Sequence, residues 1–112
     1  MTWPEMGMPL VRLEDAYAPP EKWRLWILAE EHHGPHWRRV FGPLDAERLW
    51  VAITAAAITQ PITFIRDLGP FGRTCRVPMR LAINDRTATV LTVWHYDFAD
   101  APPRLVTAYP TT

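Results

Sequence analysis

The spacing of apolar positions divides the chain into a helical front and a strand-forming back. From Pro20 to Pro61 apolar residues recur every three or four positions, the period of one helix face. Trp23, Trp26 and Ile27 make one stripe, widened by Leu25, Leu28 and Ala29, which predicts a largely buried helix over 20–33. Pro20 suits its first turn, where a missing N–H costs nothing, and Gly34-Pro35 reads as its stop. A short helical turn is expected at 36–41, closed by Gly42-Pro43. The next helix begins at Asp45, a good N-cap, with Leu44 and Leu49 placed as a hydrophobic staple. Leu49, Trp50, Ile53, Ala56 and Ala57 form its apolar face, and Pro61 ends it.

From Ile62 the period shortens to two. A first strand over 62–68 runs into the turn cluster Gly69-Pro70-Phe71-Gly72. In the second, Cys75, Val77, Met79, Leu81 and Ile83 alternate with Thr74, Arg76, Pro78, Arg80 and Ala82. Asn84-Asp85 accepts the positive φ angles of a type I′ turn, so a two-residue hairpin should lead into a third strand over 86–96. A fourth is expected over 104–109. Helices followed by a meander predict an α+β fold, two N-terminal helices packed on one face of a four-stranded antiparallel sheet. Residues 1–18 show no sustained period and predict an irregular arm, with a short strand at 10–13, ahead of a single domain over 19–112.

The hairpin also predicts which side chains meet. Pairing Ile83 with Arg86 sets Leu81 against Ala88, Met79 against Val90, Val77 against Thr92 and Cys75 against Trp94 on the apolar face. The other face then carries Arg80 with Thr89, Arg76 with Val93 and Thr74 with His95. Pro78 has no N–H to offer on the side away from the third strand, so pairing with the first strand must stop or bulge near it. The last strand has two readings. Either Leu105, Thr107 and Tyr109 face outward, or the phase is reversed with Leu105 buried.

Composition narrows the classes of function. The 112 residues carry 12 Lys+Arg against 12 Asp+Glu, which disfavours holding nucleic acid by bulk charge alone. The split is uneven, however: 62–112 holds six arginines against four aspartates. A single cysteine, Cys75, excludes an internal disulfide framework and fits a buried small hydrophobe. No apolar run reaches the roughly 18 residues that span a bilayer. No signal peptide is legible in residues 1–10, so cytoplasm is the default expectation.

An arginine, a histidine and a threonine converging on an uncovered sheet face suggest metal-independent RNA cleavage. That chemistry needs a base for the 2′-hydroxyl, an acid for the leaving oxygen and a cation for the transition state. Histidine can serve either proton transfer and arginine can hold phosphate. The alternative for His95, between Trp94 and Tyr96, is a packed structural histidine. His32, His33 and His36 straddle the Gly34-Pro35 break, so no metal or other cofactor is expected. Trp37 with Arg38 and Arg39 reads as an exposed corner for stacking or partner binding.

Two stretches resemble a known family. Thr92-Val93-Trp94-His95-Tyr96-Asp97 and Pro103-Arg104-Leu105-Val106-Thr107-Ala108-Tyr109-Pro110 are similar to the end of a small bacterial family of unknown function, which closes on a TVW…PRLVTAYP pattern. Pro20-Glu21-Lys22 and His33-Gly34 resemble its front half, although Trp37-Arg38-Arg39 stands where relatives carry a lysine–alanine pair. The layout is also similar to the BECR group, the barnase, EndoU, colicin and RelE-like metal-independent ribonucleases, many of them toxins. That likeness implies His95, Arg104, Thr107 and Tyr109 as catalytic positions, to which the register adds Arg76. Arg80, Thr74, Trp37 and Arg39 are the expected substrate contacts. The expectation is a ribonuclease-like toxin domain acting on RNA and met by a cognate antitoxin or immunity protein. The alternatives are a non-catalytic interaction or immunity-type module, and a small-ligand binder with a pocket between helices and sheet.

Overall fold

Alternation of apolar and polar residues builds the meander that it predicts. In the computed structural model, which describes residues 1–111, the strands are β1 (Phe64–Asp67), β2 (Arg73–Ile83), β3 (Arg86–Tyr96) and β4 (Arg104–Pro110). They form one antiparallel sheet in the order β1-β2-β3-β4. Asn84 and Asp85 take φ of 53° and 60°, and every β2–β3 pair expected from the hairpin is present, from Ile83↔Arg86 to Thr74↔His95. β1 pairs only as far as Phe64↔Arg76, so pairing ends before Pro78, as the missing donor requires.

The inner face of the sheet and the helices share one core. β2 supplies Cys75, Val77, Met79, Leu81 and Ile83, and β3 supplies Val90, Trp94 and Tyr96. Burial pushes the Cys75 thiol up to about 12, which leaves it an inert apolar filler. Thr92 is polar and fully buried, but its hydroxyl donates to the Val77 carbonyl at 2.8 Å and accepts from Trp94 Nε1 at 2.8 Å. The group is satisfied and costs little.

Three helices cover that face, the short turn expected at 36–41 being a helix in its own right. α1 is an α-turn, Pro20–Lys22, continued by a π-turn, Trp23–Ile27. It ends there, not at His33. Gly34-Pro35 starts the next helix, α2 (Gly34–Phe41), and does not merely stop the first. The physical reason is close approach: Gly34 N–H donates to Ala29 O at 3.0 Å, and a Cβ at Gly34 would stand 2.5 Å from Leu28 O. Pro35 fits the first turn of a helix as well as it fits the end of one. α3 (Ala46–Ala57) follows with Asp45 as its cap, accepting from Arg48 N–H at 2.9 Å. No helix is long and apolar enough to cross a membrane among the described residues.

The arm is irregular, and the strand expected at 10–13 is absent. Arg12 sits at φ 55° and Leu13–Asp15 forms a 3-10 turn. The arm is nevertheless pinned to both edges of the sheet. Gly7 N–H and Ile62 N–H exchange bonds with Ile62 O and Met8 O just before β1, while Tyr17 makes a parallel bridge to Arg104 on β4. Leu10 enters the core between them.

Candidate functional site

The outer face of the sheet is bare of helices, and register arranges its side chains in rows across the strands. The first row reads Arg66, Thr74, His95, Arg104; the second Phe64, Arg76, Val93, Thr107; a third holds Pro78, Leu91 and Tyr109. Arg80 lies opposite Thr89 beyond them. Neighbouring strands stand about 4.8 Å apart, so the first row spans about 14 Å, and Arg76 and Arg80 are about 13 Å apart along β2. No strand position on this face carries a carboxylate.

Both phases read for β4 occur, one on each side of a bulge. Val93 faces Thr107 but Trp94 faces Leu105, so Val106 is an extra residue. Leu105 and Ala108 are consequently both buried, while Arg104, Thr107 and Tyr109 all lie in the outward register. Tyr109 stacks on His33 at 5.3 Å between ring centroids.

His95 is the most enclosed group of the face, 9% exposed. Its Nε2 lies 2.8 Å from the Phe71 carbonyl, which places a hydrogen on that nitrogen. Its Nδ1 lies 3.0 Å from the Thr74 hydroxyl, which donates to it when the ring is neutral. The Asp97 carboxylate reaches two groups nearby, at 3.4 Å from His95 Nε2 and 3.6 Å from Arg104 Nη2. Arg76 lies over the Phe64 ring at 5.1 Å. Arg66, Arg76 and Arg80 have no carboxylate within ion-pair distance among the described residues.

Seven expected site residues thus share the face: His95, Thr74, Arg76, Arg80, Arg104, Thr107 and Tyr109. Two do not. Trp37 is a correction: it is wholly buried, stacks on Phe41 and donates from Nε1 to Ala108 O at 3.3 Å. Gly34, Trp37 and Phe41 lie one turn apart and make the buried stripe of α2, in which Trp37 and Phe41 supply the apolar bulk. Arg39 is exposed on α2, on the helical side of the sheet. Sequence reasoning missed Arg66, Phe64 and Asp97. The β1–β2 loop lacks a two-residue turn to transmit register, so only the paired structure assigns β1 its faces.

A shallow groove of about 670 Å³ runs between the arm and α3, lined by Leu10, Leu13, Trp50, Val51 and Ile58, with Glu14 at its edge. His32 and His33 are engaged with rings, Trp26 and Tyr109 respectively. No group of three or more His, Cys, Asp or Glu among the described residues is arranged to hold a metal ion. No protein-family model, curated protein or solved structure matches this chain.

Proposed function

We propose that the protein binds RNA through the outer face of its sheet, with arginines holding phosphates and the central rows receiving the rest of the chain. What supports this reading is one observation: four arginines on an open face with no strand carboxylate, three of them unpaired among the described residues. Unpaired guanidinium groups are poised to take a phosphate without first breaking an ion pair. Net neutrality limits the strength of binding but not the presence of a basic face, because charges beyond a Debye length of about 10 Å at 0.1 M salt are screened.

The test is a salt titration of binding to a 12-nucleotide RNA. Each phosphate contact on a single strand contributes about 0.7 to the slope of log affinity against log salt. Arg76→Ala with Arg80→Ala should therefore lower the slope by about 1.4. An unchanged slope and affinity would reject the reading.

Cleavage of the bound RNA is a second reading, favoured by the Asp97 carboxylate set against both His95 and Arg104. His95 would act as acid or base, Arg104 and Arg76 would hold the phosphate, and Thr107 or Tyr109 would orient it. The α+β layout with its four-stranded antiparallel sheet leaves room for this reading, but fold alone does not carry function. For His95 to reach an RNA oxygen, Nε2 must exchange the Phe71 carbonyl for it. Cleavage in EDTA that His95→Ala abolishes while binding persists would establish the step. A wild type that binds but does not cut would leave binding as the function.

A further inference from the structure

We infer that the nucleic acid held on this face is single-stranded, with an unstacked base taken between the rings of Phe71 and Phe98. The inference rests on the proposed RNA-binding role of the face and names the class of ligand.

Phe71 and Phe98 are 76% and 62% exposed, the two most open Phe, Tyr or Trp rings among the described residues. Both border the first row of the face. The Phe71 carbonyl accepts from His95, and Phe98 follows Asp97, whose carboxylate stands against His95 and Arg104. The two segments touch each other: a Cβ on Gly72 would collide with Tyr96 O and lie 3.0 Å from Asp97 C. Each phenylalanine is thus one residue from that contact.

Neither loop is loose. Asp67 Oδ1 accepts from Gly69 N–H at 2.8 Å, and Leu68 N–H donates to Gly72 O at 2.8 Å. In the other segment Ala101 N–H donates to Phe98 O at 3.1 Å, Asp100 N–H donates to Thr2 O at 2.8 Å, and the Arg12 guanidinium donates to Asp100 O. Rings fixed outward by a pinned backbone pay little ordering entropy on stacking. A base face is the flat, sequence-tolerant partner such rings accept, and only an unpaired strand offers one. A duplex hides its bases and would use the arginines alone. Membrane insertion is the competing use of exposed rings, but the cations here are spread over the sheet, Arg66 and Arg104 at the ends of a row about 14 Å long and Arg76 and Arg80 about 13 Å apart along β2, spacings that phosphates along one strand can meet.

The experiment compares oligo(U) of 12 nucleotides, a 12-base-pair RNA duplex and anionic phosphatidylserine vesicles as ligands for wild type, Phe71→Ala/Phe98→Ala and Arg76→Ala/Arg80→Ala. Truncating Phe71 keeps its carbonyl, so His95 stays in place. Wild type should prefer oligo(U), and the double phenylalanine variant should lose about tenfold or more in that affinity with an unchanged salt slope. Equal binding of oligo(U) by this variant and wild type would overturn the inference. So would a preference for the duplex, or vesicle binding that depends on the phenylalanines while oligo(U) binding does not. If the arginine variant weakens oligo(U) and duplex alike while the phenylalanine variant changes nothing, the polyanion face stands and only the base clamp fails. If the arginine variant changes nothing, the underlying reading fails as well.

Discussion

The imidazole of His95 is held on both sides, by the Thr74 hydroxyl at Nδ1 and the Phe71 carbonyl at Nε2. The bond to Phe71 ties the β1–β2 loop down onto β3, so the residue is structural whatever else it does. His95→Ala leaves a carbonyl and a hydroxyl without that partner and should cost about 1–3 kcal/mol, measured by urea unfolding. Stability within error of wild type would show that the loop holds without it. His33 makes a separate prediction. Its pKa is lowered, first by burial and then by His32 and His36. Below about pH 6.5 the unfolded chain takes up this proton while the folded protein resists it, so stability falls as pH drops through that value. His33→Phe keeps a ring against Tyr109 and removes the titration. Its melting temperature should fall less than wild type's between pH 7.5 and 5.5.

At the scale of elements, β2 and β3 were legible residue by residue, because a two-residue turn transmits register without ambiguity. The helical front was less legible. Gly34-Pro35 satisfies the rules for a helix stop and for a helix start, and the choice was made by the carbonyls of Leu28 and Ala29 packing against a missing side chain. β4 was ambiguous for a different reason. A bulge lets both candidate phases hold, and nothing in a period-two pattern announces one extra residue. The bulge makes a sharp prediction: without Val106, Arg104, Thr107 and Tyr109 would still lie outward and Leu105 and Ala108 inward. Deletion of Val106 should therefore keep native circular dichroism and a cooperative melt. Loss of cooperativity would mean that the bulge itself is needed to close the sheet.

For the whole molecule, one contact joins the far end of the sheet to the helical layer. Asn84 Nδ2 donates to Phe41 O at 3.0 Å and Pro43 O at 2.6 Å, and the Arg48 guanidinium donates to Asn84 Oδ1. Asn84→Gly keeps the positive φ of the turn but removes the clamp, and should cost about 1 kcal/mol in chemical denaturation. Asn84→Ala should cost more, since it loses the clamp and also strains a residue at φ 53°. Equal stability of the two variants would show that turn strain contributes nothing here.

The amino-acid sequence by itself determined the fold class, the hairpin register and the convergence of Arg76, Thr74 and His95 on one face. Each follows from local period and local turn geometry, which act over a few residues. Tertiary structure alone decided where Trp37 goes, where α1 ends, which way β4 faces and that Arg66, Phe64 and Asp97 join the site. Those outcomes depend on contacts between segments far apart in the chain, where packing volume and unpaired backbone groups, not period, choose among arrangements that the sequence pattern leaves equal.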